Sequence, residues 1–334
     1  MNRQPIETPI AFTVEDGRSH GLSRAMMRSS RYKKPWRGVR IKAENAEDTF
    51  VRASLAQLQR PDAVISHSTA AELLGLPVRP GGGLHLTTDT DKAPQAKTRA
   101  QLPGTIAHRS TLSADDSMTL ATPVIAPSNF DGGRTGIEQL TAPATHPLPD
   151  GVRITTPLRT WVDLAAQGLP VDDLVAVGDA LISLRFSFCT SAELLDAVRQ
   201  LRPIRGVRHL RQAAELIRAG TDSVKETELR LAIVKAGFPE PEINVPVLDP
   251  ATGGRIAQPD LQYRALRIAI EYDGDHHRVD RKQWQHDLVR NDGLIDLGWR
   301  VLLATDLTLR EGKQWTRFID RLAALVHDQQ RGIR

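Results

Sequence analysis

The sequence predicts a fold of the α/β class, with helices and strands in mixed order (α+β), in a chain of two or three domains. Three observations predict it. The length of 334 residues is about twice that of a typical single domain. Helical and strand-like patterns of apolar residues follow one another along the chain. Apolar residues make up 40% and charged residues 25% of the sequence, which is the usage of a folded protein and excludes a disordered chain.

The cysteine content and the hydropathy exclude several classes of protein. The single cysteine, Cys189, excludes a disulfide framework and any zinc or iron–sulfur site built from several cysteines. No apolar run approaches the roughly 18 residues that a membrane span requires, and the first residues lack the pattern of a secretion signal. We therefore expect a cytoplasmic protein without a membrane partner.

Residues 1–44 carry the signals of two short helices and a basic hairpin. Thr13 is placed to cap a first helix with an acidic first turn, and Ser23 is placed to cap a second. The extended basic segment 31–42 suits a small hairpin. This order is typical of a winged helix-turn-helix, in which the second helix enters the major groove of DNA and the wing touches phosphates.

Positive charge is concentrated in the same segment. The chain has a net charge of +4, but residues 1–42 hold ten Lys and Arg against three acids, so the remainder sums to −3. A basic run without interleaved acids favours contact with phosphates. We expect double-stranded DNA as the partner, contacted by Arg24, Arg28, Arg31, Lys33, Lys34, Arg37 and Arg40. The alternative is a solvated basic segment that packs on the next domain.

Residues 45–220 predict a second, mixed α/β domain. A strand follows the three glycines at 81–83, and the stretch 119–150, rich in Pro, Gly and Thr, has no sustained period, so we expect a flexible insertion there. Helices are expected at about 46–59, after Ser66 or Ser68, from Thr156 and Pro157 onward, and at about 191–201 and 206–219.

Two histidines of this domain, His67 and His85, raise the question of a metal site. No carboxylate or cysteine stands at ligand spacing from either of them. We therefore favour capping and core roles for these histidines over metal binding.

The clearest chemical signal lies in residues 221–334, the third predicted domain. A helix that begins after Ser223 carries Glu226, and three consecutive strands are expected in INVPVLD, RIAQPDLQY and LRIAIEYDG. Alternation along the last of these strands places Glu271 and Asp273 on one face. A capping box with Ser223 is the structural alternative for Glu226.

Asp260 is the fourth acidic residue of this predicted site, after Glu226, Glu271 and Asp273. It precedes Glu271 by eleven residues, and a short turn at 264–266 allows an antiparallel hairpin to bring the two together. Clustered carboxylates repel one another unless a cation neutralises them, and a hard ion accepts carboxylates together with water and phosphate oxygens. The predicted cofactor is therefore Mg²⁺ (or Mn²⁺). The chemistry it suits is phosphodiester hydrolysis, because the ion polarises the phosphoryl oxygen and activates water.

Five motifs between residues 222 and 309 strengthen this interpretation: Ser223-x-x-Glu226, Pro259-Asp260-Leu261, Glu271-Tyr272-Asp273-Gly274-x-x-His277, Trp284-x-x-Asp287-x-x-Arg290 and Gly298-Trp299-Arg300-Val301. Their combination resembles the PD-(D/E)XK nuclease superfamily, and within it the domains related to the very-short-patch-repair endonuclease Vsr. The resemblance implies a restriction-endonuclease-like mixed sheet flanked by helices. It also implies Asp260 and Glu271 as metal ligands, with Glu226 as the acid from the helix.

One position departs from the superfamily pattern. Asp273 stands where the superfamily has a lysine, so the residue that orients water and stabilises the developing charge is missing from its usual place. In Vsr-like relatives a histidine near this strand serves instead, which points to His277 or to His276, with Lys282 as a further candidate. Zinc or nickel binding by His276, His277 and His286 is a separate alternative. Asp287 and Arg290 are expected to form a surface pair or to brace the site.

The first two-thirds of the chain also carries a resemblance. The segments FTVEDGRSHGLSRAMMRSSRYKKPWRGVRI, SHSTAAELLGLP, HRSTL and ITTPLRTWVDLA resemble AbiEi-type antitoxins and transcriptional regulators of actinobacteria. Two functions follow as hypotheses. The first is a DNA-binding protein with a metal-dependent endonuclease-like domain. The alternative is a non-catalytic repressor or antitoxin, with a toxin partner and a degenerate nuclease fold.

Overall fold

The structure, a computed structural model, describes residues 9–79, 81–91, 102–123, 151–183, 186–273, 290, 292–310 and 312–332. Helices and sheets alternate along the chain, which confirms the mixed α/β class. The described residues divide into two compact units. The N-terminal unit contains those up to 123 and those of 151–177 and 194–211, and the C-terminal unit contains those of 178–193 and from 212 onward.

The N-terminal unit begins with a three-stranded sheet in the order β1-β3-β2 and two short helices. Both predicted caps are confirmed, since the side chain of Thr13 accepts a hydrogen bond from Asp16 N and that of Ser23 accepts one from Met26 N. Phe12, Leu22, Met27 and Tyr32 form the local core. The elements are β1 (Ala11–Thr13), α1 (Val14–Ser19), α2 (Arg24–Arg28), β2 (Tyr32–Lys33) and β3 (Val39–Lys42).

A five-stranded mixed sheet, β6-β5-β4-β8-β7, forms the rest of this unit together with its helices. The parallel pairing of β5 with β6 sets Thr87 opposite His108, and β4 runs parallel to β8 and antiparallel to β5. The elements are α3 (Thr49–Gln59), β4 (Ala63–Ile65), α4 (His67–Leu73), β5 (Leu84–Asp89), β6 (Thr105–Ser110), β7 (Ser117–Leu120), β8 (Val152–Thr155) and α5 (Pro157–Gln167).

Three of the helices that follow lie near their predicted positions, Pro157–Gln167, Ser191–Gln200 and Val207–Leu216, whereas the helix Val171–Ile182 was not predicted separately. Pro157 occupies the first turn of α5, as expected, because its fixed φ suits that position and its missing N–H has no partner to lose there. Residues 124–150 of the predicted insertion lie outside the described residues, while Thr119 and Leu120 belong to β7 and not to a loop. The helices are α6 (Val171–Ile182), α7 (Ser191–Gln200) and α8 (Val207–Leu216).

The C-terminal unit has a four-stranded mixed sheet in the order β14-β13-β12-β9, in which β13 and β14 are parallel, and a separate hairpin of β10 with β11. Residues 292–296 are helical and precede β14. The elements are α9 (Val224–Lys235), β9 (Glu242–Ile243), β10 (Val247–Leu248), β11 (Arg255–Ala257), β12 (Leu261–Tyr263), β13 (Ile268–Tyr272), β14 (Arg300–Ala304), α10 (Asp306–Leu309) and α11 (Lys313–Gly332).

The expectation of three uninterrupted strands was wrong in one respect. INVPVLD divides into β9 and β10 because Asn244 adopts the left-handed conformation, with φ of +48°, and its N–H donates to Asp260 O at 3.0 Å. RIAQPDLQY divides in the same way into β11 and β12, whereas the strand in LRIAIEYDG stays continuous as β13.

The predicted alternation along β13 is confirmed by the two cores on its faces. Ile268 and Ile270 pack with Leu229 of α9 and Phe318 of α11. Ala269 points to the other face, in a second core that contains Leu294 and Trp299. Glu271 follows Ala269 by two residues and so lies on that second face.

Candidate functional site

Asp260, which immediately precedes β12, faces Glu271 of the neighbouring strand β13. Leu261 of β12 pairs with Ile270 of β13, so Asp260 and Glu271 stand one position further along the same antiparallel register. Residues that face each other in this way have their Cβ atoms about 5 Å apart. Asp260 Oδ2 also accepts a hydrogen bond from Tyr272 N at 2.7 Å, which holds this carboxylate at the end of β13.

Glu226, at the start of α9, is buried and held by several hydrogen bonds. Its Oε1 accepts from Ser223 Oγ at 2.9 Å. Its Oε2 accepts from Asp222 N at 2.9 Å and from Asn244 Nδ2 at 2.7 Å. Burial, and after it the nearby negative charge of Asp260, raises the pKa of Glu226 to about 8. The capping interaction considered from the sequence is therefore present, because Ser223 Oγ also accepts from Glu226 N.

Glu271 is bound by a cation of the chain itself. Arg290 Nη2 donates to Glu271 Oε2 at 3.0 Å, so the predicted bracing role of Arg290 is directed at this acid. Carboxylates at the facing positions of Asp260 and Glu271 fit a hard divalent ion by donor type. Glu226, Asp260 and Glu271 do not form a compact set of three ligands, because their carboxylate oxygens do not all lie within 4.8 Å of one another among the described residues.

Of the remaining predicted catalytic residues, the structure describes Asp273 but not His277. Asp273 follows β13, is half-buried, and its backbone N–H donates to Ala304 O at 2.7 Å. His277 lies outside the described residues, as do His276, Lys282, His286 and Asp287.

The predicted DNA-contacting residues are almost all exposed. Arg40 differs, since its guanidinium donates to Met27 O and Val39 O at 2.8 Å each and supports the fold of this segment. Within the described part of the chain, the exposed cations form no ion pair with an acidic side chain; they are Arg24, Arg28, Arg31, Lys33, Lys34 and Arg37. They lie on α2, on β2 and in the turns that connect these elements to β3.

A cluster absent from the sequence prediction lies in the N-terminal unit. His67, His85 and His108 each offer one ring nitrogen, and these nitrogens all lie within 4.8 Å of one another. His85 Nδ1 and His108 Nε2 are 2.9 Å apart. The rings of His67 and His108 are stacked, with their centroids 3.7 Å apart. Of the described residues, these three alone form such a group of potential metal ligands.

Burial favours the neutral form of all three imidazoles. Burial, followed by repulsion from the neighbouring imidazoles, lowers the pKa of His67 to about 3. The pKa of His85 falls to about 4 for the same two reasons, and burial also lowers the pKa of His108. A neutral imidazole keeps one nitrogen lone pair, which is the form that binds metals.

Neighbouring residues contact both the ring and the backbone of His67. Its Nδ1 lies 2.9 Å from Ser66 Oγ, and Ser66 Oγ accepts a hydrogen bond from Thr87 Oγ1 at 2.7 Å. Its backbone is in the left-handed region, with φ of +54°. The carboxylate of Asp163 accepts a hydrogen bond from the His67 backbone and is itself bound by Arg159 Nε at 2.9 Å.

One sequence signal could have revealed part of this cluster. His108 follows Ile106 by two residues and Ile106 pairs with His85, so β5 and β6 in this register place both histidines on one face. The register between the strands is not readable from the sequence, because residues 90–104 separate them. The favoured core roles of His67 and His85 are consistent with their burial, and the third histidine is what the prediction missed.

Comparisons with known proteins leave the function open. No protein-family model matches the sequence. The chain is 28% identical over 148 residues to the uncharacterized proteins MT2308 and Rv2248 of Mycobacterium tuberculosis, strains CDC 1551 and H37Rv. This match covers 44% of the chain and 53% of each relative, so the chain spans about half the length of the curated relatives it matches.

Among solved structures, the crystal structure of the RV2827C protein from Mycobacterium tuberculosis aligns with a TM-score of 0.38 and 15% sequence identity. The alignment covers 75% of this chain and 87% of that protein. A similarity of this level supports no assignment of fold or function. In the described part of the chain, no helix is both long and apolar enough to cross a membrane.

Proposed function

We propose that the protein binds double-stranded DNA through the basic surface of its N-terminal segment. The observation that carries the proposal is the set of six exposed cations on α2, β2 and the adjoining turns, none of them in an ion pair within the described residues. Phosphates would neutralise these charges and release the counterions that condense on DNA. The half-buried Arg40 instead holds β3 against α2 and is excluded from the contact set.

Salt dependence of duplex binding tests this proposal. Each phosphate contact contributes a slope of about −0.9 to the logarithm of the binding constant against the logarithm of the salt concentration. Replacing Arg24, Arg28 and Arg31 by Gln should flatten the slope by roughly 3 and weaken binding to all duplex sequences alike. The matched control is Arg208→Gln, an exposed arginine of α8. An unchanged slope in the triple variant would contradict the proposal.

A second candidate function, divalent-metal-dependent cleavage of the bound DNA, rests on the facing positions of Asp260 and Glu271. In this proposal the two carboxylates hold Mg²⁺ (or Mn²⁺), and Glu226 stays the hydrogen-bonded acid at the start of α9. The ion would supply polarisation of the phosphoryl oxygen and a lower pKa for the attacking water. Arg290 would have to release Glu271 or share it with the ion.

Plasmid nicking tests this second candidate. Supercoiled plasmid is incubated with the protein and Mg²⁺ or Mn²⁺, beside Glu271→Ala and the control Glu215→Gln, an exposed acid of α8. Cleavage in the wild type and in the control, and none in Glu271→Ala, supports a nuclease. Absence of nicking with either metal, together with retained salt-sensitive binding, supports the alternative of a non-catalytic repressor or antitoxin. The Arg290–Glu271 ion pair and the hydrogen bonds of Glu226 favour that alternative.

A further inference from the structure

We propose that His67, His85 and His108 form a binding site for a transition-metal ion of the Zn²⁺ class. The site lies in the N-terminal unit and is independent of the proposed DNA contacts and of the carboxylates in the C-terminal unit. The three side chains come from α4, β5 and β6, and all of their ligand nitrogens lie within 4.8 Å of one another.

The spacing of the nitrogens suits a single ion. Zn²⁺ binds imidazole nitrogens at about 2.0–2.1 Å, so two ligands of a tetrahedral ion are about 3.4 Å apart. His85 Nδ1 and His108 Nε2 stand 2.9 Å apart in a hydrogen bond, and the rings of His67 and His108 are stacked. To bind one ion, the side chains must therefore rotate until their lone pairs converge on it. No backbone rearrangement is needed to gather the ligands, because the parallel pairing of β5 with β6 already places both rings on one face.

Proton accounting favours metal binding. Each neutral imidazole has one N–H and one lone pair, so three neutral rings supply three lone pairs. The proton shared between His85 and His108 moves to the outer nitrogen of its own ring when the ion binds. No proton leaves the protein in this step. The positive charge that acts on His67 is that of Arg159, which is paired with Asp163 and Asp116.

The surroundings of His67 supply the polar support that metal-bound histidines need. A ligating histidine donates its second N–H to a fixed acceptor, which orients the ring. His67 Nδ1 lies 2.9 Å from Ser66 Oγ, so its Nε2 is the ligand atom in this arrangement. Ser66 Oγ is held in turn by Thr87 Oγ1, and both residues are fully buried.

The backbone of His67 is a second, independent observation. A left-handed φ of +54° at a residue with a Cβ is energetically unfavourable and persists where surrounding contacts enforce it. The buried Asp163, bound to Arg159, accepts from the His67 N–H and provides such a contact. The conformation directs the ring of the first residue of α4 toward β5 and β6, against which it stacks.

The donor set selects the class of ion. Imidazole suits Zn²⁺, Cu²⁺, Ni²⁺ and Fe²⁺, whereas Mg²⁺ and Ca²⁺ prefer carboxylate, carbonyl and water oxygens. His108 is the half-exposed member of the cluster and gives the ion its access to solvent. Three protein ligands with an open fourth position are also the arrangement of catalytic rather than structural zinc sites.

Cobalt substitution tests this proposal on the untagged, full-length chain. Co²⁺ is titrated first, followed by Zn²⁺ as competitor. We expect one equivalent of Co²⁺ to give the visible d–d bands of a four- or five-coordinate nitrogen site, and Zn²⁺ to abolish them. His108→Gln should weaken Co²⁺ binding at least about 10-fold. The matched control His209→Gln, an exposed histidine of α8 in the same unit, should bind like the wild type.

A second variant keeps the test decisive if His108→Gln does not fold. His108→Cys substitutes another zinc ligand and should bind Co²⁺ with a new thiolate-to-metal charge-transfer band. Absence of stoichiometric Co²⁺ binding to the wild type overturns the proposal. So does binding that is equally strong in His108→Gln, or a His108→Cys protein that binds without the charge-transfer band, because the ion is then held elsewhere.

Discussion

Two clusters of titratable side chains among the described residues, the acids of the C-terminal unit and the histidines of the N-terminal unit, differ in how their lone pairs are used. In the C-terminal unit, the Glu226 oxygens accept from Ser223, Asp222 and Asn244, and Glu271 accepts from Arg290. In the N-terminal unit, the three histidines contact mainly one another, and among them one hydrogen bond joins two rings. Both oxygens of Glu226 already accept from protein donors, whereas imidazoles gathered together in neutral form retain ligand capacity.

This difference has a physical cause. A buried carboxylate must be protonated, hydrogen-bonded or paired, because its charge is costly in a medium of low dielectric constant. A buried imidazole can simply lose its proton, after which burial costs much less. A cluster of acids is therefore poor evidence of a metal site by itself, and a cluster of histidines without counterions is better evidence.

The largest effect on the free energy of unfolding is expected at Arg230, which forms a buried charge cluster with no proposed role in binding. This effect is the reference for the two candidate sites. The fully buried Arg230 binds Asp179 Oδ2 at 3.1 Å and Glu240 Oε1 at 2.5 Å. Arg230→Ala leaves Asp179 buried and without this cation, so we expect a loss of about 3–5 kcal/mol in the free energy of unfolding. Urea denaturation measures it. Arg218→Gln, which removes the half-exposed partner of the same Glu240, should cost about 1 kcal/mol or less.

A pH titration of stability tests whether Glu226 is structural. Its pKa rises from 4.5 to about 8 on folding, so the folded state binds one proton more than the unfolded state between these values. The contribution of Glu226 to the free energy of unfolding is therefore complete below pH 4.5 and is lost as the pH rises to 8, by on the order of 1.4 kcal/mol per pH unit. Glu226→Gln should remove this slope, and Glu215→Gln should keep it. Equal slopes in all three proteins would show that Glu226 ionises normally.

The Arg290–Glu271 pair allows a test of competition between arginine and metal. Arg290→Gln removes the charged donor to a buried carboxylate and should cost about 1–3 kcal/mol. If Asp260 and Glu271 hold Mg²⁺, the ion should raise the melting temperature of this variant more than that of the wild type. If Mg²⁺ raises the melting temperature equally in the wild type, in Arg290→Gln and in Glu271→Gln, the ion binds at a site that does not include Glu271.

The smallest of these effects is expected for a substitution of Ser66, and the quantity it changes is the affinity of the histidine cluster for Co²⁺. Ser66→Ala removes the hydroxyl beside His67 Nδ1. Co²⁺ affinity should fall about 10-fold to 100-fold, as it does when the acceptor behind a ligating histidine is lost. Ser183→Ala is the matched control, because it removes another buried hydroxyl, one that donates to Ala180 O and accepts from Phe186 N. Identical affinities in the two variants would argue against the orientation proposed for His67.

Local signals were the predictable part of the fold. The caps at Thr13 and Ser23, the proline at the start of α5 and the alternation along β13 all depend on residues within about four positions of one another. The break at Asn244 was not predictable, because its left-handed conformation is maintained by a hydrogen bond to Asp260, far along the chain.

The candidate sites also combine features that local sequence signals predict with features that depend on the tertiary structure. The sequence by itself determined the basic N-terminal segment, the position of Glu226 in a capping interaction and the facing placement of Asp260 and Glu271, since one short turn separates their strands. Only the tertiary structure decided that Arg290 binds Glu271 and that His108 joins His67 and His85. The physical reason is that strand register and long-range side-chain pairing are chosen by packing of the whole core, which no local pattern encodes.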